Sequence, residues 1–456
     1  MDRAAQNEVK VPKRVLNTLL SALTAGVVPR SGAPYIAIGR QDEIRALSED
    51  LETAKEGGAA VRFLIGRYGS GKSFLIQLMR GYAMDRNFLC ADADLSPERR
   101  LTGGSGAGVA TYRELIRSLA CKASPDGEAL SVLLAKQDAE IGTELAKAGV
   151  MPEDASFAPA YRRRVFDIFS ELESGVGGFD FCRVVTEYFF ALRSEDEGKK
   201  SACLRWLRGE FANKTEARSA LGFQVSAVID DDSWYEVMKL WARLATRLGY
   251  AGLLVCIDEC INLYKIPNRI SRESNYEKLL TIFNDALQGR AKGLCVIFGG
   301  TPQFLEDPRR GLFSYEALRS RLVDSQFAAA GYTTLASPVI RLRRLSDNEL
   351  LALLNRLVKL LEQQSGAPAR VTPEDMASFL ETVMSRAGAE EMLTPRDVIR
   401  DFLTVMYVLR DHPELTFSAL VQKEREKKAD APREEKSAPP SGGASLGGVM
   451  PEDFEF

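Results

Sequence analysis

The chain has 456 residues, too long for one ordinary domain and enough for two or three. A hydrophobic fraction of 45% and a charged fraction of 27% are those of a globular protein with a sizeable core. A formal net charge of −3 argues against a chain coated in positive charge for non-specific nucleic-acid binding, and a single histidine, His412, argues against a histidine-based metal site or catalytic triad.

In chain order, "VPKRVLNTLLSALTAGVVPRSG" predicts a short helix closed by Gly26 and Pro29. "YIAIGRQDEIRALSEDLETAKEGG" reads as a short apolar stretch, a turn at Gly39 and a helix ending at Gly57-Gly58. "AAVRFLIG" is a buried strand running into a glycine loop, "KSFLIQLMRGYAMDR" the helix after it, and "NFLCADADLS" the next strand. "LTGGSGAG" reads as a flexible link. From Thr111 to about Leu248 the pattern is mainly helical, too long for one strand-to-strand crossover, so a helical insert is expected over 111–248. "AGLLVCIDEC" is an apolar strand ending in acid, "ESNYEKLLTIFNDALQG" a helix and "GLCVIFGGTPQF" another buried strand. This alternation predicts an α/β fold with a parallel sheet covered on both faces. After about Leu345, "SDNELLALLNRLVKLLEQQSG", "TPEDMASFLETVMSRAG" and "TPRDVIRDFLTVMYVLRDH" read as three helices, each opened by Ser, Thr or Asp. From about Lys423 the chain is charged and then rich in Ser, Pro and Gly, the composition of a disordered tail, ending in "PEDFEF". The expected division is an N-terminal helical segment (1–34), an α/β domain with its insert (35–343), a helical lid (344–415) and the tail (423–456).

Seven scattered cysteines without a CxxC pair read as reduced, buried thiols, which with the lack of a long apolar N-terminal core or bilayer-spanning run predicts a cytoplasmic protein without membrane association.

Gly66-Arg67-Tyr68-Gly69-Ser70-Gly71-Lys72-Ser73 fits G-x-x-x-x-G-K-[ST], with Phe74 next in the helix. Glycines let the backbone curl so that N–H groups converge on phosphate oxygens, and the helix N-terminus adds partial positive charge. Lys72 can reach β- and γ-phosphates, and the Ser73 hydroxyl can coordinate Mg2+. A glycine-rich turn with a chance lysine is the bland alternative, and the strand before and helix after speak against it. The second half of such a site is an acid at the end of a neighbouring strand. "LLVCIDE" supplies Asp258 to hold the metal, directly or through water, and Glu259 to deprotonate a water aimed at the γ-phosphate. Thr301, at the end of "CVIFGGT", either contacts the γ-phosphate or the attacking water, or only ends a core strand. Arg319 and Arg321 in "YEALRSRL", across a subunit boundary, and Arg396 in "LTPRDVIRDFL", from the same chain, are candidates to neutralise transition-state charge. Taken singly, each also reads as a solvated surface residue.

The order of these pieces resembles the AAA+ ATPases, nearest in style to the origin-recognition and STAND-like branch. That resemblance covers roughly residues 12–412 and implies a P-loop sheet with a helical lid, ATP and Mg2+. It further implies Ile38, Gly39 and Arg40 near the adenine, Lys72 and Ser73 as Walker A, and Asp258 and Glu259 as Walker B. Thr301 matches sensor 1, Arg319 or Arg321 the arginine finger of a homo-oligomer, and Arg396 sensor 2. Closer still, "VLNTLLSALTAGVVPRSGAPYIAIGRQDEI", "RYGSGKSF", "LRWLRGE" and "LTPRDVIRDFL" resemble the P-loop ATP-binding proteins of BREX-type phage-defence loci. This likeness implies a role in anti-phage defence beside a helicase or other DNA-processing partner. No winged-helix segment follows the lid, so DNA contact falls to the insert ("YRRR", "LRWLRGE") or to a partner, and the Pro451–Phe456 tip reads as a docking peptide. Three functions are expected to compete: an ATPase driving assembly of a DNA-acting complex, a slowly hydrolysing nucleotide switch, and a small-molecule kinase, against which the lid helices, the Asp-Glu pair and the length count.

Overall fold

Four apolar runs of six or seven residues form the strands β1 (Ala59–Ile65), β2 (Leu89–Asp94), β3 (Leu253–Asp258) and β4 (Leu294–Gly300), and a three-residue strand, β5 (Val339–Arg341), joins the edge. The computed structural model describes residues 10–172, 177–324, 335–385 and 394–422; the 423–456 segment and its terminal peptide lie outside them. The five strands are all parallel, in the order β2-β3-β4-β1-β5. Every residue of β3 and β4 is buried, as expected of central parallel strands with both faces covered. The acidic strand is therefore not a neighbour of the loop strand, as the sequence suggested: β4 runs between β1 and β3. The crossover geometry decides this, and no local pattern records it. β4, which Thr301 directly follows, does stand beside the acidic strand.

One face of the sheet packs Phe63 on Phe298 with ring centres 5.3 Å apart, and Phe63 on Phe283 of the Arg269–Leu287 helix at 6.3 Å. Between β2 and β3 the described residues make seven α-helices, from Ala107–Arg117 to Trp234–Arg247, whose apolar core is continuous with that face. The opposite face carries the Gln41–Lys55 and Lys72–Asp85 helices over Leu64, Cys90, Cys256 and Cys295. All seven cysteines are buried, and no disulfide joins any two of them. The "LTGGSGAG" stretch is not a loose link: the Asp231 carboxylate accepts from the N–H groups of Gly106 at 3.1 Å and Val109 at 2.8 Å, capping the Ala107–Arg117 helix. "APYI" forms a short 3-10 helix, Ala33–Ile36.

A second core lies beyond the β5 edge. The helices Asp347–Ser365, Pro373–Met384 and Pro395–Asp411 are capped by Ser346, Thr372 and Thr394, each side chain accepting from a backbone N–H one turn on. The Lys13–Thr24 helix packs its Leu16, Leu19, Leu20 and Leu23 stripe into the same core, so the two ends of the described chain fold together. None of the described helices is long and apolar enough to cross a membrane.

Candidate functional site

The Gly66–Ser73 loop leaves the C-terminal end of β1 and turns into the Lys72–Asp85 helix. Gly66 N–H still bonds Gly300 O at 3.1 Å, extending the ladder to β4. Gly69 and Gly71 have φ of +74° and +91°, the left-handed region that glycine enters without strain. Within the loop Ser70 N–H bonds Arg67 O at 3.1 Å, but among the described residues no acceptor faces the N–H groups of Gly69, Gly71, Lys72 or Ser73. Lys72 Nζ donates to Gly66 O at 2.9 Å and Arg67 O at 3.1 Å. Burial lowers the Lys72 pKa, opposed by the charges of Asp258 and Glu259.

The Ser73 hydroxyl donates to Asp258 Oδ2 at 2.7 Å, joining residues 185 positions apart. Asp258 Oδ1 accepts from Glu259 N–H at 2.8 Å. The carboxylate fits only because β4 presents Gly299 there: a Cβ on that glycine would stand 2.1 Å from Asp258 Oδ1. Glu259 has φ +58°, one of few non-glycine residues in the left-handed region, at a cost of about 1–2 kcal/mol. Its turn is closed by Asn262, whose N–H reaches Glu259 O at 3.0 Å and whose side chain reaches Leu95 O at 2.8 Å. Strain of this kind clusters at working sites.

Beside the loop lies a cavity of about 310 Å³ lined by Tyr68 through Phe74, Glu259 and Arg396. Its apolar walls come from Leu23 and Val27–Pro29 at the end of the first helix, from Ile36 and Ile38, from Leu345 just before the Asp347–Ser365 helix, and from Leu353 and Ile399 of the C-terminal helices. The cavity thus joins a cationic, amide-rich end to an apolar slot.

Of the residues singled out by sequence, Ile38, Arg40, Tyr68, Gly69, Ser70, Gly71, Lys72, Ser73, Phe74, Glu259 and Arg396 line this cavity. Gly66, Arg67 and Asp258 stand behind them through the contacts above. Gly39 does not line it: it turns the chain (φ +72°) against Glu349. Arg40 lines it, yet its 4%-exposed guanidinium is taken up by protein groups: Ser70 O at 2.9 Å, Arg343 O at 2.7 Å and Glu43 at 3.2 Å. Thr301 directly follows β4, and its hydroxyl accepts from Phe304 N–H at 3.3 Å as the cap of Pro302–Glu306. Arg319 and Arg321 are apart from the cavity, on the Glu316–Leu322 helix, the first 3.9 Å from Glu316 and the second bonded to Asn284 at 3.2 Å. Arg396 makes no ion pair or hydrogen bond among the described residues.

Several neighbours escaped sequence reasoning. Asp94 pairs in register with Asp258 across β2 and β3, and partial desolvation, then the Asp258 and Glu259 charges, raise its pKa. The alternation in "CADADL" was its only signal. Thr394 packs on the loop, and Val27–Pro29 wall the cavity; nothing local marks either.

The residues fit a nucleoside triphosphate with a divalent metal. Unpartnered amides and an ammonium suit phosphate oxygens, a hydroxyl beside a carboxylate suits Mg2+, and the apolar slot suits a base. A family model described as BREX system ATP-binding protein BrxC/D matches residues 11–425. No curated protein matches the chain.

Proposed function

The chain belongs to the BREX system ATP-binding protein BrxC/D family, a family of phage-defence ATP-binding proteins, and from that premise we propose that it hydrolyses ATP to time the assembly or activity of a DNA-acting defence complex. The observation that carries the reading is the 2.7 Å bond from Ser73 to Asp258 with Lys72 and Glu259 at the same cavity. The loop amides and Lys72 bind the β- and γ-phosphates. Ser73, with Asp258 behind it, holds Mg2+, which when bound neutralises phosphate charge. Glu259, held at the mouth by its strained turn, takes the proton of the attacking water. Arg396 meets developing charge on the transferred phosphoryl from the same chain, and Thr301 stands at the neighbouring strand end. Arg319 or Arg321 serves in trans if the chain assembles with itself. Ile38 and the walls from Val27–Pro29 receive the base.

Other components of the same defence system are the expected partners. A helicase or another DNA-processing protein is the partner we propose, with DNA reached through it or through the helical insert, and with Pro451–Phe456 as a docking peptide.

The test is phosphate release from ATP and Mg2+ by the purified chain, with and without DNA and the other components. Glu259→Gln should reduce release by two orders of magnitude or about that, with ATP still bound; Lys72→Ala should abolish tight ATP binding. Release untouched by Glu259→Gln rejects the assigned base. A second reading, a slow nucleotide switch, draws support from the ties between the loop and the C-terminal helices through Arg40, Arg343 and Thr394. Tight ATP binding with negligible turnover under every condition favours it.

A further inference from the structure

Away from the cavity, two arginines are withdrawn from water without a carboxylate. Arg272, in the first turn of the Arg269–Leu287 helix, is 6% exposed, and Arg310, beyond the Pro302–Glu306 helix, is half-buried. Both converge on one main-chain oxygen: Ile266 O accepts from Arg272 Nη1 at 2.9 Å and from Arg310 Nη2 at 3.1 Å. Arg310 Nη2 also donates to Tyr264 O at 3.1 Å, and the guanidinium lies 5.2 Å from the centre of the Tyr264 ring. Neither arginine forms an ion pair among the described residues, and the Nε of each is buried without an acceptor. Bringing two like charges together under such conditions is unfavourable unless the carbonyls they hold must be held.

The surrounding bonds tie three segments. Tyr264 Oη donates to Asp307 Oδ2 at 3.2 Å and accepts from Gln303 Nε2 at 3.0 Å. Asp307 Oδ1 accepts from the N–H groups of Arg309 and Arg310 at 2.8 and 2.9 Å, and Tyr276 Oη donates to Arg310 O at 2.6 Å. The chain after β3, which opens with Glu259, is thereby fastened to the chain after β4, which opens with Thr301.

We propose that Arg272 and Arg310 are positioning residues: through the Tyr264 and Ile266 carbonyls they hold the Glu259 turn and lock it against the Thr301 end of β4. Their effect on turnover rests on the hydrolysis reading; the clamp itself does not.

The experiment uses the full chain and the variants Arg310→Ala, Arg310→Lys and Arg272→Lys. One Nη of each arginine makes these bonds, at the end of a stem longer than that of lysine, so a lysine ammonium falls short of the carbonyls and the lysine variants test the clamp with the charge retained. Without nucleotide, amide hydrogen exchange over 259–268 should quicken on the order of tenfold in Arg310→Ala. With ATP, affinity should stay within about twofold while kcat for phosphate release falls on the order of ten- to a hundredfold. Unchanged exchange over 259–268 overturns the clamp. Faster exchange with unchanged kcat, or an equal fall in ATP affinity, overturns the positioning role. A wild-type chain that releases no phosphate defeats the hydrolysis reading instead, while exchange still decides the clamp. If Arg310→Ala does not fold, the same readouts on the lysine variants decide both points.

Discussion

Thr394 sits so close to Gly69 that a Cβ on the glycine would lie 2.1 Å from the Thr394 methyl. The cap of a C-terminal helix is thus pressed onto the tip of the phosphate loop. Gly69→Ala suffers twice, from a φ of +74° worth about 1–2 kcal/mol and from the overlap. It should lower stability in urea and weaken ATP binding. The double variant Gly69→Ala/Thr394→Gly should recover part of the binding loss, because only the overlap is relieved; no recovery would mean that the two residues are not coupled.

Ser73 and Asp258 should act as one unit toward the metal. Wild-type protein is expected to bind ATP more tightly with Mg2+ than with a chelator, and Ser73→Ala or Asp258→Ala should each narrow that difference. The double variant should be no worse than the poorer single one. Additive losses by calorimetry would argue that the 2.7 Å pair is not a shared site.

Arg40→Lys keeps the charge and loses the fork. One Nη serves both Ser70 O and Arg343 O, and a lysine ammonium on a shorter stem cannot hold both while facing Glu43. A loss of about 1.5–3 kcal/mol in denaturant is expected, with faster hydrogen exchange in the 66–71 loop. Full stability in Arg40→Lys would discount the tie.

Two carboxyls should give opposite pH signatures. Arg343 holds Glu349 down to about 2 from 4.5, so its contribution is complete above pH 4.5 and is lost as pH falls toward 2; Glu349→Gln should flatten that acid limb. Asp94 is raised above 3.8, so the folded state disfavours its charge and is weakened as pH climbs past that value. Asp94→Asn should therefore stabilise at neutral pH and change little below 3.8. Urea midpoints across pH decide both.

The phosphate loop, its flanking strand and helix, and the acidic strand were legible because each is written locally: fixed glycine spacing, an apolar run, a helical period. The caps of the C-terminal helices were legible for the same reason. What escaped depends on distant partners. β5 is three residues long and owes its strand to β1. "LTGGSGAG" looked loose because its cap, Asp231, comes more than 120 residues later. Ile38–Arg40 was expected at the base; Ile38 and Arg40 do line the cavity, but no pattern reveals that the Arg40 head is spent on main-chain oxygens. The leucine stripe of the first helix announces that it needs a partner without saying which.

That partner is synthesised late. Leu16, Leu19, Leu20 and Leu23 are completed by helices that begin at Asp347, so the stripe leaves the ribosome roughly 320 residues ahead of its cover. At about 5–20 residues per second it waits uncovered for roughly 15–60 s. The nascent chain must therefore carry an adhesive apolar ribbon until the helices from Asp347 onward have emerged, and the cavity that Val27–Pro29 share with Leu353 and Ile399 cannot close before then. Premature termination anywhere before the C-terminal helices should yield a product that shields neither the ribbon nor the base slot, one marked for chaperones rather than for partial activity.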